Sequence, residues 1–243
     1  MRIFRNLDQL DQLLLHNTID TFILYKRVCE QYNNNGILNL AKDLVPDPVL
    51  KLYYSEQDLK PILQWFKTDF MRWMPKLLKC ERCLCEMDIQ VVRGNSWRLR
   101  ATEIYLCNKC GFEQVFPRYG EIRKIAVTRL GRCSEWSLLF GAILSSISIK
   151  TRLVHDFLDH CWNESSINDS WLHVDSTLEF PISLNHPHYY EQNWGKKFRY
   201  VLAFSHDSLE DVTMIYSEQH GNVLKRRNQK NDTGEFKKIY SKL

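Results

Sequence analysis

A cysteine sits in Gly131-Arg132-Cys133-Ser134-Glu135-Trp136, directly before an apolar run with helical spacing. The first N–H groups of a helix have no intrahelical acceptor, and the positive end of its dipole lies there. A thiol at that position is therefore biased toward thiolate. Downstream, Asp159-His160-Cys161-Trp162 offers a base, and Trp171-Leu172-His173-Val174-Asp175 offers a carboxylate. A thiol nucleophile, an imidazole to take its proton and an acid to orient the imidazole make a complete acyl-transfer set. His155, His160 and His173 are all candidates for the base, and spacing alone does not choose among them. Strand alternation puts Trp171, His173 and Asp175 on one face and Leu172 and Val174 on the other, so Asp175 stands outside the apolar stripe.

A second chemistry is written in Cys80-Glu81-Arg82-Cys83 and Cys107-Asn108-Lys109-Cys110, two CxxC knuckles separated by 23 residues. Each knuckle delivers two sulfurs from one tight turn, and four thiolates suit tetrahedral zinc. Such a closed site leaves no open coordination position, so the expected ion is structural and does no chemistry. Cys85 is a further thiol, expected to be a small buried residue.

The elements that must carry these groups can be traced along the chain. Residues 1–32 have helical periodicity and end at Asn33-Asn34-Asn35-Gly36. Pro46-Asp47-Pro48 reads as a loop. Residues 56–74 read as a helix with Leu59, Ile62, Leu63, Phe66, Phe70 and Trp73 on one side, stopped by Pro75. Between the knuckles, 89–92 and 97–101 read as short strands. Residues 132–149 make the nucleophile's helix, with Trp136, Leu139, Phe140, Ile143, Leu144 and Ile147 as its buried stripe. Strand-like runs follow at 151–158, 160–164, 171–176, 199–205 and 212–217. A helix bearing the thiol, then antiparallel strands bearing His and Asp, is an α+β arrangement. The expected organisation is an N-terminal helical region at 1–79, a zinc-binding insert at 80–110, a catalytic core at 111–221 and a basic, mobile tail at 222–243.

The chain has 243 residues and a formal charge of +4. Residues 222–243 hold seven basic side chains against two acidic ones, which leaves the remainder close to neutral. A nucleic-acid surface is therefore not indicated. No run reaches the ~18–20 apolar residues of a membrane span. Asp8, Asp11 and Asp20 interrupt any secretory h-region, so the expected compartment is cytoplasmic or nuclear. There the eight cysteines are ligands, nucleophiles or core residues, not disulfides.

Taken together, Trp65-Phe66-Lys67, the two CxxC pairs, Gly131-Arg132-Cys133-x-Glu135-Trp136, Asp159-His160-x-Trp162, Trp171-Leu172-His173-Val174-Asp175 and Trp194-Gly195-Lys196-Lys197 occur in the order found in cytoplasmic peptide:N-glycanases. Over roughly residues 1–217 the chain resembles a fungal member of that family, within the transglutaminase-like superfamily. The resemblance implies a transglutaminase/papain-like core with an inserted four-cysteine zinc subdomain and N-terminal helices. It implies Cys133, His160 and Asp175 as the catalytic set, and one structural Zn²⁺ on Cys80, Cys83, Cys107 and Cys110. It further implies that Trp162, Glu164, Glu179 and Trp194 meet substrate. The implied activity is hydrolysis of the bond between asparagine and an N-linked glycan on misfolded glycoproteins, during their degradation. The implied partner is a ubiquitin-like proteasome shuttle factor bound through the N-terminal region, where Leu10, Leu13 and Leu14 lie; packing within the chain is the other use of those leucines.

Two positions depart from the family pattern. Ser134 stands where glycine is usual, and Leu178 stands where a substrate-contacting glutamate is usual, with Glu179 next to it. These departures keep a catalytically quiet adaptor for glycoprotein degradation as an alternative. A transglutaminase or protease with the same triad is the other. The two CxxC pairs and the Trp-Gly-Lys-Lys segment favour deglycosylation.

Overall fold

In a computed structural model, residues 9–227 and 233–243 are described. The side chains of 9–18 fall outside that description, and with them the reading of Leu10, Leu13 and Leu14. The chain opens with helices α1 (Gln9–Gln31), α2 (Asn35–Leu44), α3 (Asp47–Glu56) and α4 (Lys60–Trp65), the last running into a π-helical turn at Phe66–Phe70. Asn34 caps α2 by accepting the Ile37 N–H. Pro46-Asp47-Pro48, expected as a loop, instead opens α3, because proline is pre-organised for the first helical turn and its missing N–H costs nothing there.

The helix expected over 56–74 ends at Phe70. Trp73 falls in the short strand β1 (Arg72–Trp73), paired in parallel with β5 (Leu130–Gly131), and is half exposed, not part of a buried stripe. Between them, β2 (Asp88–Ser96), β3 (Leu99–Leu106) and β4 (Glu113–Tyr119) form an antiparallel meander, followed by α5 (Ile122–Thr128). The cysteine-bounded insert is thus wider than 80–110, since its sheet is completed by residues beyond the second knuckle.

The centre of the fold is α6 (Cys133–Ser146), buried continuously from Ser134 to Leu144. An α-helix that is apolar on all sides needs partners on all sides. α1, α2 and the π-turn cover part of it, and a five-stranded antiparallel sheet covers the rest. That sheet has the order β10-β9-β6-β7-β8, built from β6 (Thr151–His155), β7 (Cys161–Ile167), β8 (Ser170–Val174), β9 (Leu202–Phe204) and β10 (Leu209–Asp211). Alternation sorts its side chains. Leu153, Cys161, Leu202 and Phe204 face the α6 core, while Val154, Trp162 and Ala203 face a second core with Tyr190, Phe198 and Tyr216.

That second core is closed by α7 (Tyr189–Trp194) and α8 (Thr213–Tyr216). The run at 212–217, expected as a strand, is therefore a helical turn; the neighbouring strand is β10. The mobile-tail reading of 222–243 is also corrected for the described residues, 222–227 and 233–243. α9 (His220–Arg226) and α10 (Thr233–Ser241) dock onto the body, with Tyr240 buried against Phe22 and Phe204 and its main-chain carbonyl accepting from Lys26. Amphipathic packing, not charge density, decides the fate of this segment.

Candidate active site

Cys133 is the first residue of α6, and the turn that delivers it is built by its neighbours. Glu135 folds back so that its Oε2 accepts the Arg132 N–H at 3.0 Å. A Cβ on Gly131 would lie 2.3 Å from the Cβ of Glu135, so only glycine lets the strand pass this close to the helix start. Arg132 is buried and donates bidentately to Glu103 at 2.7 Å through each terminal nitrogen, and to the carbonyls of Met74 and Pro75. Ser134 points away from the cleft, its Oγ accepting from Arg100 and Arg118. Ser134 thus belongs to a link between α6 and the insert's sheet.

His160 is delivered by a turn that the Asp156 carboxylate organises. Asp156 Oδ1 accepts the N–H groups of Leu158, Asp159 and His160 at 2.9, 3.1 and 3.0 Å. Phe157 takes a positive φ of 54° in this turn. The other Asp156 oxygen accepts from Lys196 at 2.5 Å, and Lys196 also pairs with Asp159. His160 Nε2 meets Asp175 Oδ2 at 2.7 Å. Asp175 Oδ1 accepts from the Thr177 N–H at 2.8 Å and the Thr177 hydroxyl at 2.7 Å. The structure therefore joins His160 and Asp175 as one unit, with Cys133 interacting with His160 from the α6 side.

The charges are consistent with a thiolate–imidazolium pair. The Cys133 thiol is pulled down to about 4, first by its hydrogen bond with Cys161 and then, against the opposing cost of burial, by His160. The Cys161 thiol is pushed up correspondingly and stays neutral. Burial works against the charged form of His160, but the Asp175 charge and hydrogen bond raise it to about 10. Burial likewise opposes the Asp175 carboxylate, and the His160 charge overcomes it and holds the group well below its usual range. His155 and His173 are driven by burial to about 4, so both are neutral near pH ~7 and neither fits the cationic partner of a thiolate. Replacing Cys161 by Val is expected to raise the pH at which iodoacetamide begins to alkylate Cys133. An unchanged alkylation profile would mean that His160 alone sets the thiolate.

The expected substrate contacts divide. Trp194 is 45% exposed and its ring meets that of His160 edge-on at 5.1 Å, so an accessible aromatic stands beside the base. Glu179 is exposed beside Lys67, at 3.4 Å. Trp162 and Glu164 do not reach the cleft. Trp162 is fully buried, stacked against His160 at 5.7 Å and donating to Tyr216 at 2.8 Å. Glu164 is buried in an ion pair with Arg152 at 2.6 Å and also accepts from Tyr216. Both act beneath the site, Trp162 as the floor of His160. Trp73, read from the sequence as part of a buried stripe, instead exposes its ring on the strand paired with Gly131, two residues before Cys133. The π-turn that takes it out of the helix stripe leaves no periodicity signal.

Cys80, Cys83, Cys107 and Cys110 bring their sulfurs within 4.8 Å of one another. The closest pairs are 3.4, 3.4 and 3.7 Å apart. A tetrahedron of thiolates around zinc at about 2.3 Å has sulfur edges of about 3.8 Å, so the four side chains fit a metal ion. Each knuckle is a tight turn, with Leu84 N–H bonded to the Cys80 carbonyl and Gly111 N–H to that of Cys107. Gly111 has a φ of 70°, and Leu84 takes the same left-handed conformation without being glycine. Cys85 lies outside the four-sulfur cluster.

Residues 91–176 match the model of the transglutaminase-like superfamily. The chain is 33% identical over 212 residues to the peptide-N(4)-(N-acetyl-beta-glucosaminyl)asparagine amidase of Caenorhabditis briggsae, covering 82% of this chain and 34% of that protein. It is 36% identical over 186 residues to the human protein of that name, covering 71% and 27%, and 33% identical over 225 residues to that of Kluyveromyces lactis, covering 82% and 62%. The chain thus spans about a third of the length of the first two of these relatives. Among solved structures, a Rad4/XPC nucleotide excision repair complex matches all of this chain and 59% of its own at a TM-score of 0.56 and 16% identity, a likeness of fold.

Proposed function

Since the chain belongs to the peptide-N(4)-(N-acetyl-beta-glucosaminyl)asparagine amidase family of the transglutaminase-like superfamily, we propose that it removes N-linked glycans from asparagine as a cysteine hydrolase. The observation that carries this reading is the His160–Asp175 unit set against a thiol at the start of α6. The Cys133 thiolate attacks the side-chain carbonyl carbon of the glycosylated asparagine. Its N–H, among the unpaired donors of the first helical turn, faces the developing oxyanion. His160, already cationic, gives its proton to the departing glycosylamine and then takes one from the water that hydrolyses the thioester. Asp175 stays ionised throughout and holds the imidazole's orientation. The asparagine leaves as aspartate, and Trp194 and Trp73 offer exposed rings against which sugar or peptide can stack.

The four-cysteine cluster fits Zn²⁺ as a structural ion, tying the segment that leads into β2 to the turn between β3 and β4. One zinc per chain is expected by metal analysis. Cys80→Ser or Cys110→Ser should lower the melting temperature and the yield of folded protein, because the metal's binding energy is folding energy. Loss of activity without loss of stability would refute a purely structural ion. Four cysteines suited to a metal and one activated as a nucleophile are chemistry that a reducing compartment preserves, which supports action in the cytoplasm or nucleus on misfolded glycoproteins during their degradation. A ubiquitin-like proteasome shuttle factor at the N-terminal region is the partner this reading expects.

The direct test is purified chain incubated with denatured, N-glycosylated ribonuclease. The expected result is a faster-migrating band whose glycosylation site carries aspartate by mass spectrometry. A shift that leaves asparagine, or no shift at all, refutes the amidase reading.

A further inference from the structure

His173 is buried, titratable and idle in the reaction just described, yet it lies only two residues before the catalytic acid, Asp175. Its surroundings fix where every proton lies. The His186 main-chain N–H donates to His173 Nδ1 at 3.2 Å, so that nitrogen carries a lone pair. Burial keeps the ring neutral, so its single proton is on Nε2. Nε2 meets the Tyr190 hydroxyl oxygen at 2.6 Å. With its oxygen occupied by that donor, Tyr190 turns its own proton to Asp175 Oδ2, at 2.7 Å. The same oxygen accepts from His160 Nε2, also at 2.7 Å.

We propose that Tyr190 and His173 are positioning residues for the nucleophile's base, acting through Asp175. The chain of donors runs in one direction, from the His186 N–H through His173 and Tyr190 to Asp175, and ends on the oxygen that orients His160. Tyr190 sits on α7, the helix that also carries Trp194, and Gly195 closes that helix with a φ of 63°. One short element therefore fixes the acid from behind and sets an accessible ring beside the base. The inference rests on reading Cys133, His160 and Asp175 as the catalytic set.

The proposal makes a signed prediction. Tyr190→Phe removes one donor from Asp175 while keeping the ring. The carboxylate, less satisfied, holds the His160 proton more strongly. The basic limb of the pH profile should therefore move upward, by about half a unit or more. The other titratable groups near the pair stay in place: Cys133 on α6, His155, Asp156 and Asp159 beside His160, and His186 and Tyr216 beyond His173 and Tyr190. The shift consequently reads the loss of one hydrogen bond. Glycan release should fall about tenfold in kcat, with KM changed much less, as for loss of a hydrogen bond to a charged group.

The experiment is the pH dependence of Cys133 alkylation by iodoacetate, whose negative charge makes the rate fall as the His160 cation loses its proton; it needs no glycan substrate and so stands even if the amidase reading fails. Near-UV circular dichroism checks the fold of each variant. His173→Leu is expected to move the basic limb in the same direction as Tyr190→Phe. His173→Gln should restore it, because a glutamine amide can accept from the His186 N–H and donate to Tyr190 as the ring does. A Tyr190→Phe profile that superimposes on the wild type overturns the proposal. So does a His173→Gln variant indistinguishable from His173→Leu.

Discussion

Cys133→Ala is expected to lower glycan release by about 10⁵-fold or more, the scale seen when a triad nucleophile is removed, with the melting temperature almost unchanged. Cys133 is partly open to the cleft and interacts with His160 and Cys161, so its truncation leaves the apolar core intact. His160→Ala should be comparably severe, since it removes both the cation that stabilises the thiolate and the acid that protonates the leaving group. Initial rates on denatured glycoprotein, measured beside thermal melts, decide the matter. Residual turnover above about a tenth of wild type, where removal of a nucleophile is expected to leave almost none, would mean that another group attacks. The same pair predicts that Cys133 alkylation is already fast near pH ~6, where an ordinary thiol is almost wholly protonated.

The chemistry was more legible in the sequence than the packing around it. Helix-start position marked Cys133, and CxxC spacing marked the four sulfurs that the structure gathers. Both are local signals, because a helix N-terminus and a metal knuckle are each made within a few residues. The choice of His160 over His155 and His173 was not local. It depends on which ring reaches Asp175 across neighbouring strands, and on burial that leaves the other two neutral. Only the family resemblance pointed to it beforehand.

Trp162 and Glu164 show the opposite failure. Residues near a catalytic histidine look like cleft residues in one dimension, but alternation along β7 turns Trp162 into the second core, and Arg152 captures Glu164 inside the protein. The C-terminal helices were missed for a related reason. Their basic residues suggested a solvated tail, while the informative residue was Tyr240, which is buried over Phe22 and Phe204. A single anchoring ring in a charged segment gives almost no periodic signal.

Glu135→Gln is expected to cost about 3–5 kcal/mol of stability, although it changes one carboxylate oxygen to an amide nitrogen. Glu135 is 1% exposed. Its Oε1 accepts from Arg100 at 2.7 Å and Arg118 at 2.9 Å, and its Oε2 accepts from Arg118 at 3.2 Å and the Arg132 N–H at 3.0 Å. Burial opposes this charge, and Arg100 and Arg118 outweigh it, holding the carboxyl below its ordinary value. A glutamine must turn an NH₂ toward donors that need an acceptor, and it removes the charge that faces two guanidiniums. Arg118 would retain Glu103, at 3.0 Å, but Arg100 would lose its charged partner. Against a total stability of about 5–15 kcal/mol, that loss is large. Urea unfolding should show a lower midpoint at an unchanged slope. The exposed Arg93–Asp20 pair supplies the contrast: Asp20→Asn should cost at most ~1 kcal/mol, since solvent screens both partners. Equal losses from the two substitutions would show that the arginine–glutamate network contributes no more than a surface pair. The insert's sheet would then be joined to the nucleophile's helix by something other than buried charge.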